Sequence, residues 1–459
     1  MRLLVLPLAP VLIVSLVGCW KKSPPLPVTH KARQIERDLG LKPAPDDRAL
    51  VHSIRQGNPP GNADPAFVEA VRCVDEAHGR LQFDAAGRLV GVDLVGGRVS
   101  VTDEDVEALA ALAHLRTLKL TGAGITNRSV PQISRMTGLV ELSLQESQID
   151  DAGFAQLAGL GKLTSLALRR SGAMTEAGLA HLADFPALAH LALIEDNFTD
   201  QGMAHVAGFE KLRMLDLRGC AQVTGAGLAR LKDLEHLKAL KLAGYAINDD
   251  SMAVVKQLQG LRSLAVEDCG VTGAGLAQIR DLPLEELTIS RCLSINDEAL
   301  QCLKGFANLK RLSLRDTPIG GGGLVHLADN KKLASLNLSE TFVGAEGLEH
   351  LRGLRGLERL ELRRAPVGDA GLAIAGRLPN LRSLDLEDTG SSDAGLAQLA
   401  GLARLETLNL KLNVGVTDAA VEPLARLRGL KSLNIAQTGI SEEGAERLRE
   451  ALPGCRIAR

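Results

Sequence analysis

Aromatic residues are scarce in this 459-residue sequence: they make up 2% of it, with one Trp, one Tyr and eight Phe. Large rings therefore cannot fill its interior, and a chain that is 45% hydrophobic must build a thin, repetitive core from Leu, Ala, Val and Ile. Charge of one sign is lacking as well. The 53 Lys and Arg balance 55 Asp and Glu, which excludes both a basic footprint for nucleic acid and an acidic tail. No nucleic-acid partner is expected. The seven cysteines include no Cys-x-x-Cys pair, and no His-Glu-x-x-His or Gly-x-Ser-x-Gly run occurs, so the common redox, zinc-protease and hydrolase signatures are missing. A triad dispersed along the chain would leave no such signature.

Arg2 is followed by sixteen uncharged, mostly apolar residues, Leu3 to Gly18, and then by Cys19-Trp20-Lys21-Lys22. Sixteen residues fall short of the roughly 20 that a spanning helix needs, and the pattern predicts a signal peptide over residues 1–18. Leu16-Val17-Gly18-Cys19 resembles the lipobox of bacterial lipoproteins. That resemblance implies cleavage before Cys19, acylation of Cys19 and a lipid anchor in a membrane of the cell envelope, outside the cytoplasm. Ordinary secretion, or an uncleaved anchor favoured by Lys21-Lys22, stays open. Residues 19–63, with Ser23-Pro24-Pro25 and Asn58-Pro59-Pro60-Gly61, read as a flexible tether, with a short helix possible between Lys31 and Leu39.

From Leu115 a pattern of Leu, two residues, Leu, one residue, Leu returns every 23 to 25 residues in fourteen copies, the last at Leu430, with a weaker copy at Leu89. Alternation within it, as at Leu312-Ser313-Leu314, predicts a strand with one face buried. An apolar residue and then a helix-capping one follow, as in Ile125-Thr126 and Ile440-Ser441. Twelve of fifteen copies carry Ser, Thr, Asp or Asn at the capping place, and the other three carry Gly320, Gly344 and Gly368. A unit of about 24 residues cannot enclose a core alone, so units must stack with strands parallel. The copies resemble short bacterial leucine-rich repeats of the type Leu-x-x-Leu-x-Leu followed by Thr-Asp-x-Gly-Leu. The resemblance implies an α/β solenoid, with a curved parallel sheet on the concave side and short helices on the convex side. It places an N-terminal cap at residues 64–88, repeats at 89–441, and a last helix and cap at 442–459.

Repeats, caps, tether and signal use up the chain, leaving no room for a separate catalytic domain, and no enzymatic activity and no cofactor are expected. Cys302, His326 and His350 recur at one helical phase, but neighbouring helices lie about 8 to 10 Å apart, too far for three ligands to share an ion. No metal is expected. Cys220, Cys269 and Cys292 sit three residues past their strands, where other copies have Thr or Asn, and read as small buried residues, with Cys269 and Cys292 near enough in adjacent rungs to bridge under oxidation. Gly320 to Gly323 is a turn, not a phosphate loop, since no Lys-Ser or Lys-Thr follows.

What remains is the concave face, to which positions three, five and seven of each copy point. Its most charged stretch holds Arg311, Arg315, Arg359, Glu361, Arg363 and Asp385. Mixed charge of this kind suits a polar protein surface or an anionic polymer. The expected function is therefore non-catalytic protein binding or scaffolding by a monomeric body anchored in the envelope. Two alternatives stay open: a self-associating envelope coat, and an enzyme whose site is grafted on the solenoid.

Overall fold

The computed structural model describes residues 47–459 apart from Arg98 and Ala113. The signal segment, Cys19 and the possible helix between Lys31 and Leu39 lie outside the described residues. The first described element corrects the tether, which composition extends to residue 63. Asp47–Arg55 is a helix, α1, packed on the cap helix α2, Pro65–Glu76. Val51 and Ile54 recur at helical spacing and close on Val68 and Val71 in a small apolar cluster. Arg55 pairs with Asp75 at 2.7 Å, and the buried Asp47 carboxylate accepts the Leu89 N–H at 2.7 Å. The cap thus starts at Asp47, because a few apolar residues inside a Pro-rich, charged stretch suffice to dock about two and a half turns of helix.

Strand β1 (Arg80–Phe83) pairs antiparallel with β2 (Leu89–Asp93), the first rung. Of the seventeen strands in the sheet, all the others join in parallel, each to the strand of the preceding repeat. The register is constant: Leu118 faces Leu142, Leu166 faces Leu191, and the column ends with Leu433 on Ile457. Each fully buried Leu contributes about 1.5 to 3 kcal/mol, and one continuous core runs from Ala70 to Leu452.

The helical segments are single turns or little more, such as Gly225–Leu228 and Ala345–Leu348. Turns so short do not form unaided, so something outside each must hold it. That role falls to the acidic residue next to the cap of the preceding repeat. Asp249 accepts both the Thr272 N–H, at 2.8 Å, and the Thr272 hydroxyl, at 2.7 Å. Asp103 does the same for Thr126, Asp200 for Thr224, Asp369 for Ser392 and Asp418 for Ser441. The Gly of the repeat makes room for this carboxylate: a Cβ at Gly275 would stand 2.2 Å from Asp249 Oδ1, and one at Gly444 2.2 Å from Asp418 Oδ1. Where Asn127 replaces the acid, the next cap is an acid, and Asn127 Nδ2 donates to Asp150 at 2.7 Å. Where Gly225 replaces it, the next cap is Asn248, which closes a capping box with its own Ser251.

A buried column three residues beyond the strands is filled by groups that hydrogen-bond the turn. The Thr317 hydroxyl donates to Leu314 O at 2.6 Å, and Asn413 Nδ2 donates to Leu386 O at 2.7 Å in the neighbouring rung. Asp196 stands in the same column and is only 5% exposed. Its Oδ1 accepts the Ser171 N–H at 2.6 Å, while Oδ2 is buried without a partner. Burial pushes its carboxyl up to about 6.

Two predictions follow from these contacts. Gly275→Ala should destabilise the protein by roughly 2 kcal/mol in denaturant unfolding, and Asp249→Ala by roughly 1 to 2 kcal/mol. Their double variant should lose clearly less than the sum, because removing the carboxylate frees the space the new methyl needs; strict additivity would refute the clamp. Asp196 makes the opposite kind of contribution to that of a paired carboxylate. Its folded carboxyl holds a proton more tightly than the unfolded one, so stability falls as pH rises from about 4 to about 6 and stays reduced above. Asp196→Asn should therefore stabilise the protein at pH 8, by at most roughly 3 kcal/mol, and have little effect at pH 4. Equal effects at the two pH values would contradict it.

Candidate binding face

Strand alternation buries the Leu ladder and turns the third, fifth and seventh repeat positions to the open face, so Arg359 and Glu361 flank the buried Leu360. On this face a groove of about 790 Å³ spans the rungs from Arg311 to Asn409. Four of the six residues expected from the sequence line it: Arg311, Arg359, Glu361 and Asp385. Arg315 and Arg363 do not. They lie at the far ends of their strands, gathered on Glu340 at 3.3 and 4.0 Å. The sequence reading also missed Lys332, Arg382 and Glu406, which line the groove from the turn that enters each strand. Alternation counted from the strand alone does not see these positions, although their long side chains reach over its edge.

The groove's charges are mostly spoken for. Arg311 pairs with Glu286 at 2.9 Å, Lys310 with Glu285 at 2.7 Å, and Arg382 with Glu406 at 2.7 Å. Such half-exposed pairs contribute little stability each, up to about 1 kcal/mol, but they fix the orientation of long side chains. Glu361 accepts from Asn337 Nδ2 at 2.6 Å and Asp385 from Asn409 Nδ2 at 2.9 Å. Burial, and for Glu361 also the neighbouring Asp385 charge, raises both carboxyls above their usual range. The Arg359 guanidinium, at the centre, has neither hydrogen bond nor ion pair among the described residues. It acts on Glu361 only through its field.

This arrangement suits recognition. The groove is lined by no His or Cys, so its hydroxyl groups, Ser335, Ser383 and Thr407, have no imidazole base beside them. Elsewhere, burial pushes the thiols of Cys73 and Cys220 up to about 12, and that of Cys302 to about 11, which keeps them protonated and unreactive. Cys269 and Cys292 are free thiols, and Cys269 is held up by its Cys292 neighbour and by burial. Among the described residues no three His, Cys, Asp or Glu stand close enough together to hold an ion. Among them, too, no helix is long and apolar enough to cross a membrane.

No family model matches the chain, and none of the curated proteins does. Among solved structures the chain is similar to an internalin from Listeria monocytogenes, at 22% identity and a TM-score of 0.48, covering 81% of this chain and 94% of that one. It is similar to a leucine-rich-repeat protein of Leptospira interrogans at 16% identity and a TM-score of 0.44, over 76% of this chain and 96% of that one. A third likeness is to the yeast Rad7 and Elc1 complex, at 16% identity and a TM-score of 0.49, over 93% of this chain and 94% of that one. All three scores are below 0.5, so the fold is read from this chain's own strands. An open sheet of parallel one-repeat strands in constant register, each followed by a short capped helix, is the leucine-rich-repeat solenoid.

Proposed function

We propose that this protein is a non-catalytic binding scaffold that holds a protein partner in the groove around Arg359, with its body anchored in the cell envelope by a lipid on Cys19. The observation that carries the binding reading is the state of Arg359. Its neighbours Lys310, Arg311 and Arg382 are neutralised by carboxylates in adjacent rungs, whereas its guanidinium is held among them without one. An arginine presented in this way gains a bidentate hydrogen bond to a carboxylate at little cost in order. Glu361 and Asp385 beside it, whose carboxyls burial raises above their usual range, set acceptors next to the guanidinium, which suits a partner surface of mixed polarity. The paucity of rings points the same way, since recognition must rest on Arg rather than on aromatic anchors.

The anchor reading is supported by sequence alone, through the apolar run Leu3–Gly18 and the motif Leu16-Val17-Gly18-Cys19. The two parts are tested separately. Full-length protein bearing Arg359→Glu should retain a partner from envelope extract at least about tenfold less well than the native protein, while an Arg230→Glu control on the helical side retains it fully. Equal retention by both variants would remove the groove from consideration. Cys19→Ser should move the protein from the membrane fraction to the soluble one. An unchanged fractionation would refute the lipid and leave the groove untouched.

A further inference from the structure

A second recess lies on the sheet side of the solenoid, several rungs before the Arg359 groove. It measures about 400 Å³ and is lined by Ala187, Ala189, His190, Lys211, Arg213 and His236. Four of these six side chains are basic and none is acidic, in a chain whose charges otherwise balance. They come from three successive rungs: His190 from the strand His190–Ile194, Lys211 and Arg213 from the entry to the strand Met214–Arg218, and His236 from the entry to Ala239–Ala243. The two alanines stand where long side chains would close the space. The backbone of the recess is already satisfied, with the Arg213 N–H on Ala189 O at 2.7 Å and the His190 N–H on Thr164 O at 2.9 Å.

The side chains are not satisfied. Lys211 Nζ donates to Pro186 O at 3.0 Å, which sets its ammonium over the recess without neutralising it. The side chains of Arg213, His190 and His236 have no hydrogen bond or ion pair among the described residues. This contrasts with the Arg359 groove and with the network of Arg169, Arg170 and Glu195, where cations and carboxylates alternate. Lys211 and Arg213 stand together with no carboxylate in the lining, which raises the energy of the free protein, and an anion between them removes that cost.

We propose that this recess is a binding site for an oxyanion group of the sulfate or phosphate type, gripped by Lys211 and Arg213 and flanked by the two imidazoles. Planar guanidinium and point-like ammonium are the groups that recognise tetrahedral oxyanions, and three rungs at about 4.8 Å give a width suited to one such group and not to a polymer backbone. The groups that face His190 are Arg213 on the adjacent rung, Glu141 two rungs back and the recess cations themselves; Ser165 and Met214, its register partners, carry no charge. Burial first, and then Arg213, lower the His190 imidazole below its usual range, so it is neutral at pH 7. A bound anion reverses this, because it stabilises the imidazolium.

Sulfate is the probe of choice, since its own charge is constant between pH 5 and 8. Imidazole resonances of the full-length protein, assigned with His190→Gln and His236→Gln, are titrated with pH with and without sodium sulfate, against sodium chloride of equal ionic strength. Sulfate should raise the His190 midpoint by roughly half a unit to one unit, which means roughly three- to tenfold tighter binding to the protonated form. Arg213→Gln and Lys211→Gln, both exposed and outside the core, should each remove most of that rise. A midpoint no higher in sulfate than in chloride, or a rise retained in both variants, would overturn the site. Inorganic phosphate and a phosphoserine peptide, titrated at pH 7.5, name the source: tighter binding of the peptide assigns the group to a phosphorylated partner, and tighter binding of the ion to a free oxyanion. Binding of neither would overturn the phosphate form of the proposal.

Discussion

The clamp between one repeat's acidic residue and the next repeat's cap is the contact on which the solenoid's regularity depends. Each helical turn is too short to form alone, and its first N–H groups would otherwise point at water or at nothing. A carboxylate from the preceding repeat meets them, as Asp393 meets Thr417 N at 2.7 Å and Thr417 Oγ at 2.6 Å. The contact is possible only if the backbone of the next helix passes close by, and that forces Gly three residues beyond the clamped cap. Gly227, Gly275 and Gly395 all have an acidic oxygen within 2.2 to 2.4 Å of where a Cβ would be. The Thr-Asp-x-Gly pattern is thus one interaction between neighbours written as a motif within each. Its exceptions obey the same chemistry, since Asn127 is followed by an acidic cap and Asp297, facing Gly320, accepts three backbone N–H groups instead of a hydroxyl.

With the helical side fixed by that clamp, the other end of each strand carries the conformational cost. A residue just past the strand takes a left-handed conformation in rung after rung, directly after it at Glu146, Arg170 and Glu195 and three residues after it at Glu340 and Arg364, with φ between 51° and 60°. Side chains other than Gly pay about 1 kcal/mol for this. The repeats recover some of it by stacking opposite charges there, with Arg170 between Glu146 and Glu195 and Arg364 between Glu340 and Asp388. The same stacking stiffens the margin of the open face, so the side chains inside the groove are presented by a rigid frame.

Much of this was legible in the sequence, and for a physical reason. Strand alternation and cap chemistry are local, and fourteen copies in phase leave one architecture that buries the Leu ladder of the strands. The helix Asp47–Arg55 was not legible because its support comes from Val68, Val71 and Leu89, residues remote in sequence, while its surroundings are rich in Pro and charge. In the groove, the column rule found Arg359, Glu361 and Asp385 but not Arg382 or Lys332, because reach over a strand edge depends on side-chain length and not on parity. The rule also could not separate Arg359 from Arg363. Both point to the open face, and only the positions of Glu340 and Glu387 show that Arg363 is engaged and Arg359 is not.

A solenoid with so regular a spacing also fixes the distance between its sites. His190 and Arg359 belong to strands seven rungs apart, so at about 4.8 Å per rung they are separated by roughly 30 Å along the sheet. A free oxyanion at the first would reach the second only through the field, which salt screens within about 8 Å. A partner that used both would need to be extended, or about the size of a small domain, and to carry its anionic group some 30 Å from the surface that meets Arg359. Because the clamp and the charge ladders leave the frame no easy way to shorten, length becomes a criterion of recognition beside charge. A partner of the right chemistry and the wrong span would gain only one of the two contacts.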